Sequence, residues 1–470
     1  MRAILTILAV GCVAGGLFFA RPAQTPGPPM RDFEAYYSAG KVWNAGGDPY
    51  SAAIWPAERG LPGVRADRFE ALPFAGPPVL LPLLGAIARV PFTIANDLWR
   101  ALLAVAAIFL AAIAAYAARS PRTARTFILM AIAELGFGPI TSAFALGQLA
   151  LPAAACAALA LRSRWTAVLA WMQPNVAICT AALRIFVPSL LVFAACSVAV
   201  ATPAGALHYW TVLRAHAAAE RFALIQVTPA AVAYGFGSGS GAAMIIGAAF
   251  ATAALVAWLV FVRRIESGTL RLCATCALTP LVLPFAHEHD LSVAFLPAAV
   301  LVVRAGPRLA PAAVFAALLV AADWLGLAQR PQGALQTLLL VTGCGCALLA
   351  LAENAEVRTL AAVAGAAALI VICSRGAVAW QVPVWPAAMG ALPANSAQLP
   401  IAAAWSQELR STGLLQPDPY AAALRALSLA GCAMLAVLTV RYARGAPPRR
   451  ASSILRCDLP SLGAGCSTPP

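Results

Sequence analysis

Residues 242–262 read AAMIIGAAFATAALVAWLVFV, a run with no charged side chain and long enough to cross a bilayer as a single helix. Residues 360–373, LAAVAGAAALIVIC, are as continuously apolar. Strands of a transmembrane barrel alternate apolar and polar residues over about ten positions, and neither run alternates. Backbone in hydrocarbon must satisfy its own hydrogen bonds, which a helix does within one segment. The chain is therefore read as an all-α, polytopic membrane protein.

Composition agrees. Of 470 residues, 61% are hydrophobic and only 11% charged, and the mean hydropathy is +0.81. The net charge of +14 comes almost wholly from arginine, since Lys41 is the sole lysine. In a soluble chain such a balance would suggest nucleic acid. Here the arginines sit in short connections between apolar runs: Arg119, Arg122 and Arg125, then Arg162 and Arg164, Arg263 and Arg264, Arg304 and Arg308, and the tail from Arg441 to Arg456. That is the pattern of cytoplasmic loops, and it argues for a membrane rather than a nucleic acid partner. Heavy alanine and arginine usage hints at a GC-rich bacterial genome, which places the chain in a bacterial plasma membrane.

Most of the twelve cysteines lie inside apolar runs, where cysteine behaves as a small hydrophobe. Cys273 and Cys276 form a CxxC without a second pair or histidines at ligand spacing. No metal and no cofactor is read from them.

With Arg2 inside, the first apolar run (3–20) carries the chain out, and residues 21–77 form a first outer segment. It holds six of the eighteen carboxylates, among them Asp32, Glu34 and Asp48. The proline-studded run 77–91 is read as interfacial, and a second span as 94–118. A hairpin over 126–142 and 147–161 follows, with Gly147 and Gln148 at its outer tip. Segment 165–183 has arginines at both ends, so it enters and leaves on one face. Its centre, WMQPNV at 171–176, supplies the break that a re-entrant helix needs, which makes Gln173 and Asn175 cavity candidates. A run over 185–200 leads to a second outer segment (203–238) containing His208, His216 and Arg214. Further spans alternate to 374, a third outer segment covers 376–419 with Trp380, Trp385 and Trp405, and a last span covers 420–441. The sum is about twelve spans. Residues 1–305 are taken as the module carrying the chemistry, 306–441 as a variable membrane module, and 442–470 as a basic tail.

Helical spacing over 31–44 puts Phe33, Tyr37 and Gly40 on one side and Asp32 one turn before Tyr36. Such a helix would rest on the membrane with its aromatics at headgroup level. Asp32 in its first turn is either a helix cap or a reactive carboxylate. Asp48, in Gly-Gly-Asp-Pro-Tyr, reads as a turn former. The HEHD of 287–290 packs two imidazoles and two carboxylates together; it is either a hydrated cap on a following span or a site whose His287 or His289 meets a phosphate. Glu134 and Asp323 fall within spans, where an acid must be buried in a hydrogen bond or face a cavity.

The pattern DFxxYYxAGxxxxxGxxPY over 32–50, then PFAGPPVLLPL (73–83), LGQLALP (146–152), WMQPN (171–175) and HDLSVAFLPA (289–298), resembles the bacterial GT-C membrane glycosyltransferases that use polyprenyl-phosphate mannose. The mycobacterial phosphatidylinositol mannoside mannosyltransferases belong to that family. The resemblance covers roughly the first 300 residues. It implies a GT-C-like fold and an inverting hexosyltransferase that takes mannose from a polyprenyl-phosphate donor to a lipid or glycan acceptor on the outer face. Asp32 is then the general base. Donors to the leaving phosphate would be His289 first, then His287, Lys41 and Arg214, with Tyr36, Tyr37, Gln148, Gln173 and Asn175 lining the cavity. One departure stands out: where the family carries lysine before proline, this chain has Gln173 before Pro174. Two rival readings are a transporter of lipid-linked sugar, with the re-entrant segment and Glu134 as translocation elements, and a noncatalytic assembly subunit.

Overall fold

The computed structural model describes residues 2–19, 30–64, 72–118, 123–306, 308–322, 333–352, 357–379, 401–411 and 413–445. Asp323, Arg119, Arg122, Trp380, Trp385 and the tail beyond residue 445 lie outside the described residues.

Helices account for the regular structure among the described residues, with one isolated antiparallel bridge between Gln226 and His287. Four helices are long and apolar enough to cross a membrane: Phe92–Ala118, Phe186–Glu220, Ser240–Val262 and Pro419–Gly445. A pair bent by 68°, Ala124–Leu135 and Gly138–Leu146, makes a fifth crossing if its halves count as one. The other apolar helices run from short pieces such as Ala310–Val320 (11 residues) and Gly268–Val282 (15 residues) to Arg2–Phe19 (18 residues), Gly333–Leu351 (19 residues) and Val357–Ala379 (23 residues). Among the described residues four helices, or five with the bent pair, meet this criterion, and the expectation of about twelve spans belongs to the proposal below.

The interruptions follow their prolines. The segment expected to be re-entrant is broken into Thr166–Ala170 and Pro174–Ala177, and Gln173 between them is extended. Pro174 opens the second piece, where its missing N–H costs nothing. Thr202, just before Pro203, has φ 62° inside Phe186–Glu220 and divides that helix where the sequence placed the end of a span.

The helix expected over 31–44 is present as Arg31–Asn44, and its buried face is aromatic. Phe33 stacks on Trp99 at 4.8 Å and faces Phe92 at 6.0 Å, while the Tyr37 hydroxyl donates to the Val90 carbonyl at 2.7 Å. Gly40 lets this helix meet Leu81–Ile87, because a Cβ there would lie 2.2 Å from the Leu84 carbonyl oxygen. Gly147 does the matching work on the hairpin. It adopts φ 80°, which favours glycine, and a Cβ on it would come within 3.0 Å of Met30 and Phe33. Trp99 Nε1 donates to its carbonyl at 2.8 Å. These contacts bring Gln148 beside the first turn of Arg31–Asn44.

Candidate functional site

That first turn points its acid away from the helix's own amides. Met30 occupies the N-cap position with no side-chain cap. Asp32 instead accepts a hydrogen bond from Gln148 Nε2 at 2.6 Å, and Gln148 Oε1 accepts the Tyr36 hydroxyl at 2.9 Å. Capping therefore does not account for Asp32. Its carboxylate faces a cavity of about 230 Å³. Burial raises its pKa, against opposing contributions from Gln148, Arg31 and His287.

The broken segment and the HEHD stretch meet on another wall. Asp290 Oδ1 accepts from Gln173 Nε2 at 2.9 Å, and Oδ2 accepts from Asn175 Nδ2 at 3.0 Å and from the His287 backbone N–H at 3.0 Å. Pro174 fixes the extended turn that presents both amides. Glu288, His289 and Asp290 are buried in a short 3₁₀ helix, Glu288–Ala294, so the hydrated-cap expectation for HEHD is corrected. Asp290 does cap, through the His287 N–H, but out of water's reach.

His287 is held from the far side. Its Nε2 donates to Glu220 Oε2 at 3.0 Å. The same oxygen accepts Gln226 Nε2 at 2.8 Å, while Glu220 Oε1 accepts Trp405 Nε1 and lies 3.4 Å from His216 Nε2. Glu220 and His216 are one helical turn apart at the end of Phe186–Glu220. Burial acts to lower the His287 pKa, but the hydrogen bond and charge of Glu220, helped by Asp290 and Asp32, outweigh it, and the pKa is raised. His289, stacked on His287 with ring centroids 5.0 Å apart, behaves oppositely. Burial depresses it to about 4, and its Nδ1 has no hydrogen-bond partner. The two imidazoles are thus pushed in opposite directions, His287 towards its protonated form by Glu220 and His289 towards its neutral form by burial. On these directions His287, placed behind His289 as a phosphate donor from sequence, is the more readily protonated of the two.

Of the residues singled out from sequence, Asp32, Tyr36, Gln148, Gln173, Asn175, His287 and His289 all line this one cavity. Three do not. Lys41 and Arg214 are exposed and away from it, since each lies on a solvent-facing side of its helix. Tyr37 is buried against Phe92 and Val90 and supports the helix instead. Glu134 is buried near the 68° bend, also away from the cavity. Asp48 does form the turn, accepting the Tyr50 N–H at 2.9 Å, and its other oxygen pairs with His208 at 3.1 Å.

Compared with protein-family models, characterised proteins and solved structures, the chain matches none of them. The geometry of the cavity is what bears on function.

Several of its groups escaped the sequence reading. Glu220 and Gln226 were not singled out, although His216 and Glu220 at i,i+4 are a recognisable same-face pair. Arg31 lines the cavity next to Asp32, and Trp405 enters from beyond residue 305, so the cavity draws on both membrane modules. His287, His289 and Asp290 also place possible metal-ligating atoms within 4.8 Å of one another. However, the Asp290 oxygens already take three N–H donors and His287 Nε2 is committed to Glu220. A cation there would have to compete with the N–H donors already on Asp290.

Proposed function

We propose that this protein is a membrane glycosyltransferase that moves a hexose, with mannose as the first choice, from a polyprenyl-phosphate sugar to a lipid or glycan acceptor. The observation that carries the reading is that a half-buried carboxylate with a raised pKa, Asp32, and an imidazole hydrogen-bonded to Glu220, His287, line the same cavity. One can take a proton and the other can meet developing negative charge, and these are the two demands of the reaction.

In that reaction the acceptor hydroxyl attacks the anomeric carbon of the donor while Asp32 takes its proton. A carboxylate with a raised pKa is a stronger base once ionised. The bond from the anomeric carbon to the phosphate oxygen breaks, and polyprenyl phosphate leaves with the electron pair. Protonated His287 donates to that oxygen through Nδ1, its Nε2–H being held by Glu220, and Arg31 adds a fixed positive charge to the same cavity. Gln173, in the position of the family's lysine, binds Asp290 with a neutral amide; in this chain the phosphate's partner is therefore His287. Attack from the face opposite the leaving group inverts the anomeric configuration.

The GT-C-like fold with about twelve spans, the bacterial plasma membrane and an outward-facing cavity belong to the same proposal. They rest on the motifs of the first 300 residues and on the distribution of arginine.

The test is to offer the purified protein in lipid nanodiscs polyprenyl-phosphate mannose, arabinose and glucose together with a membrane lipid extract, and to follow release of polyprenyl phosphate. Sugar transfer from one donor with inverted configuration is expected. Absence of turnover with all three would overturn the reading in favour of transport or a noncatalytic role.

A further inference from the structure

Arg425 lies in the membrane-length helix Pro419–Gly445 and is fully buried. A cation at such a place is costly unless its N–H groups are satisfied, and intramembrane arginines that persist have a role. Its guanidinium is aimed at backbone. Nε donates to Ala421 O at 3.0 Å in its own helix, and Nη1 donates to Gln226 O at 2.9 Å with Ala223 O at 3.5 Å. Nη2 has no hydrogen-bond partner among the described residues and lies against Gly235, where a Cβ would sit 2.9 Å from it and 2.8 Å from Ala422 Cβ.

The clamped segment is the one that supports His287. Gln226 pairs with His287 in the antiparallel bridge, and Val227 N donates to Ala286 O at 2.7 Å. The Gln226 side chain reads both directions of this contact. Its Oε1 accepts the Ala286 N–H at 2.9 Å, which fixes the amide so that Nε2 faces Glu220 Oε2 at 2.8 Å, 3.1 Å from His287 Nε2. Arg425 itself does not line the cavity.

We infer that Arg425 is a positioning residue: by holding the Gln226 main chain it keeps the Glu220 carboxylate against His287. Its Nε and Nη1 bridge Ala421 O in its own helix to Gln226 O, a planar two-point reach that a lysine ammonium does not reproduce. The significance for catalysis rests on the role proposed for His287; the positioning itself does not.

Two effects of removing Arg425 have opposite signs at His287. Loss of a buried positive charge would by itself raise the His287 pKa, because one neighbouring cation is gone. Loss of positioning lowers it, because Glu220 no longer meets the imidazole and burial then dominates. The other groups facing His287 are His216, Asp290, His289 and Asp32, all left in place.

The experiment titrates ¹⁵N-labelled histidine by NMR in lipid nanodiscs, with four histidines in the chain and His287→Gln used for assignment. Arg425→Met is expected to lower the His287 pKa by about one pH unit or more. Gly235→Ala crowds both Ala422 Cβ and Arg425 Nη2, moving the guanidinium and its helix from Gln226 while keeping the charge, and is expected to shift the pKa the same way. It also carries the test alone if Arg425→Met does not fold. An unchanged or raised His287 pKa in folded Gly235→Ala, or in folded Arg425→Met, overturns the inference. No sugar donor is needed, so a shift without any transfer activity would refute the proposed function while leaving the positioning role standing. Transfer activity without a shift would do the reverse.

Discussion

The Asp32 carboxylate and the Gln148 amide are joined at 2.6 Å across 116 positions of sequence. Gly147 makes the approach available, because only a residue without a side chain fits between Met30 and Phe33 at that turn. The bond orients the carboxylate into the cavity while burial keeps its pKa raised. Base strength and direction are therefore set by different parts of the fold.

Asp32→Asn should abolish transfer, by about 100- to 10,000-fold as for loss of a general base, and should also stabilise the protein. Burial makes the fold bind this proton more tightly than the unfolded chain does. That stability is complete below the unfolded value, about 3.9, and is lost as pH rises through the raised folded value. At neutral pH the ionised carboxylate weakens the fold, and asparagine removes the cost while keeping the Gln148 contact. Thermal unfolding in detergent checks this: the midpoint rises as activity disappears. A lowered midpoint would assign Asp32 a structural role.

Gln148→Leu removes a hydrogen bond that favours the ionised carboxylate, so the Asp32 pKa should climb further. The acid limb of the pH–rate profile should move to higher pH, with the plateau rate reduced less than in Asp32→Asn. An unmoved acid limb would separate Gln148 from the base.

The full pH–rate profile should be bell-shaped, with Asp32 on its acid limb and His287 on its alkaline limb. The raised His287 pKa places that limb above the ordinary imidazole value of about 6.5. His287→Gln should flatten the alkaline limb and cost about 100-fold or more, as when a donor to a developing anion is lost. His289→Gln should leave the limb in place, because His289 is already neutral, its pKa depressed to about 4. Loss of the alkaline limb in the His289 variant, and not in the His287 variant, would restore the order expected from sequence.

Trp405→Phe deletes the Trp405 donor to Glu220 and should reduce transfer by about 10-fold or more, the scale of one hydrogen bond to a charged group. Combined with Glu220→Gln, the losses should fall short of additive, since both act on one bond. Strict additivity in the double-mutant cycle would mean that Trp405 acts through packing alone.

What was legible in the sequence was local. The helix from Arg31, the break at Gln173–Pro174 and the division at Thr202–Pro203 follow from neighbouring residues, and each stands where spacing or a proline put it. The tertiary pairings were not legible. Glu220 lies 67 positions from His287, and nothing in its own segment says which side chain it will meet. Lys41 and Arg214 were chosen for their charge, and helix orientation, which charge does not encode, left them exposed. His287 and His289 are nearly adjacent, yet one contacts Glu220 and the other only buried surroundings, so their chemistry diverges. Span boundaries were not legible either, because some apolar runs, such as Ala310–Val320, fold as pieces too short to cross a bilayer alone.

The most direct measurement is single-turnover sugar transfer from polyprenyl-phosphate mannose, comparing the wild-type protein with Asp32→Asn and His287→Gln at matched expression and donor binding. The account predicts transfer by the wild type, none by Asp32→Asn and a large loss in His287→Gln, with all three still binding donor. Wild-type-like transfer by Asp32→Asn would contradict it.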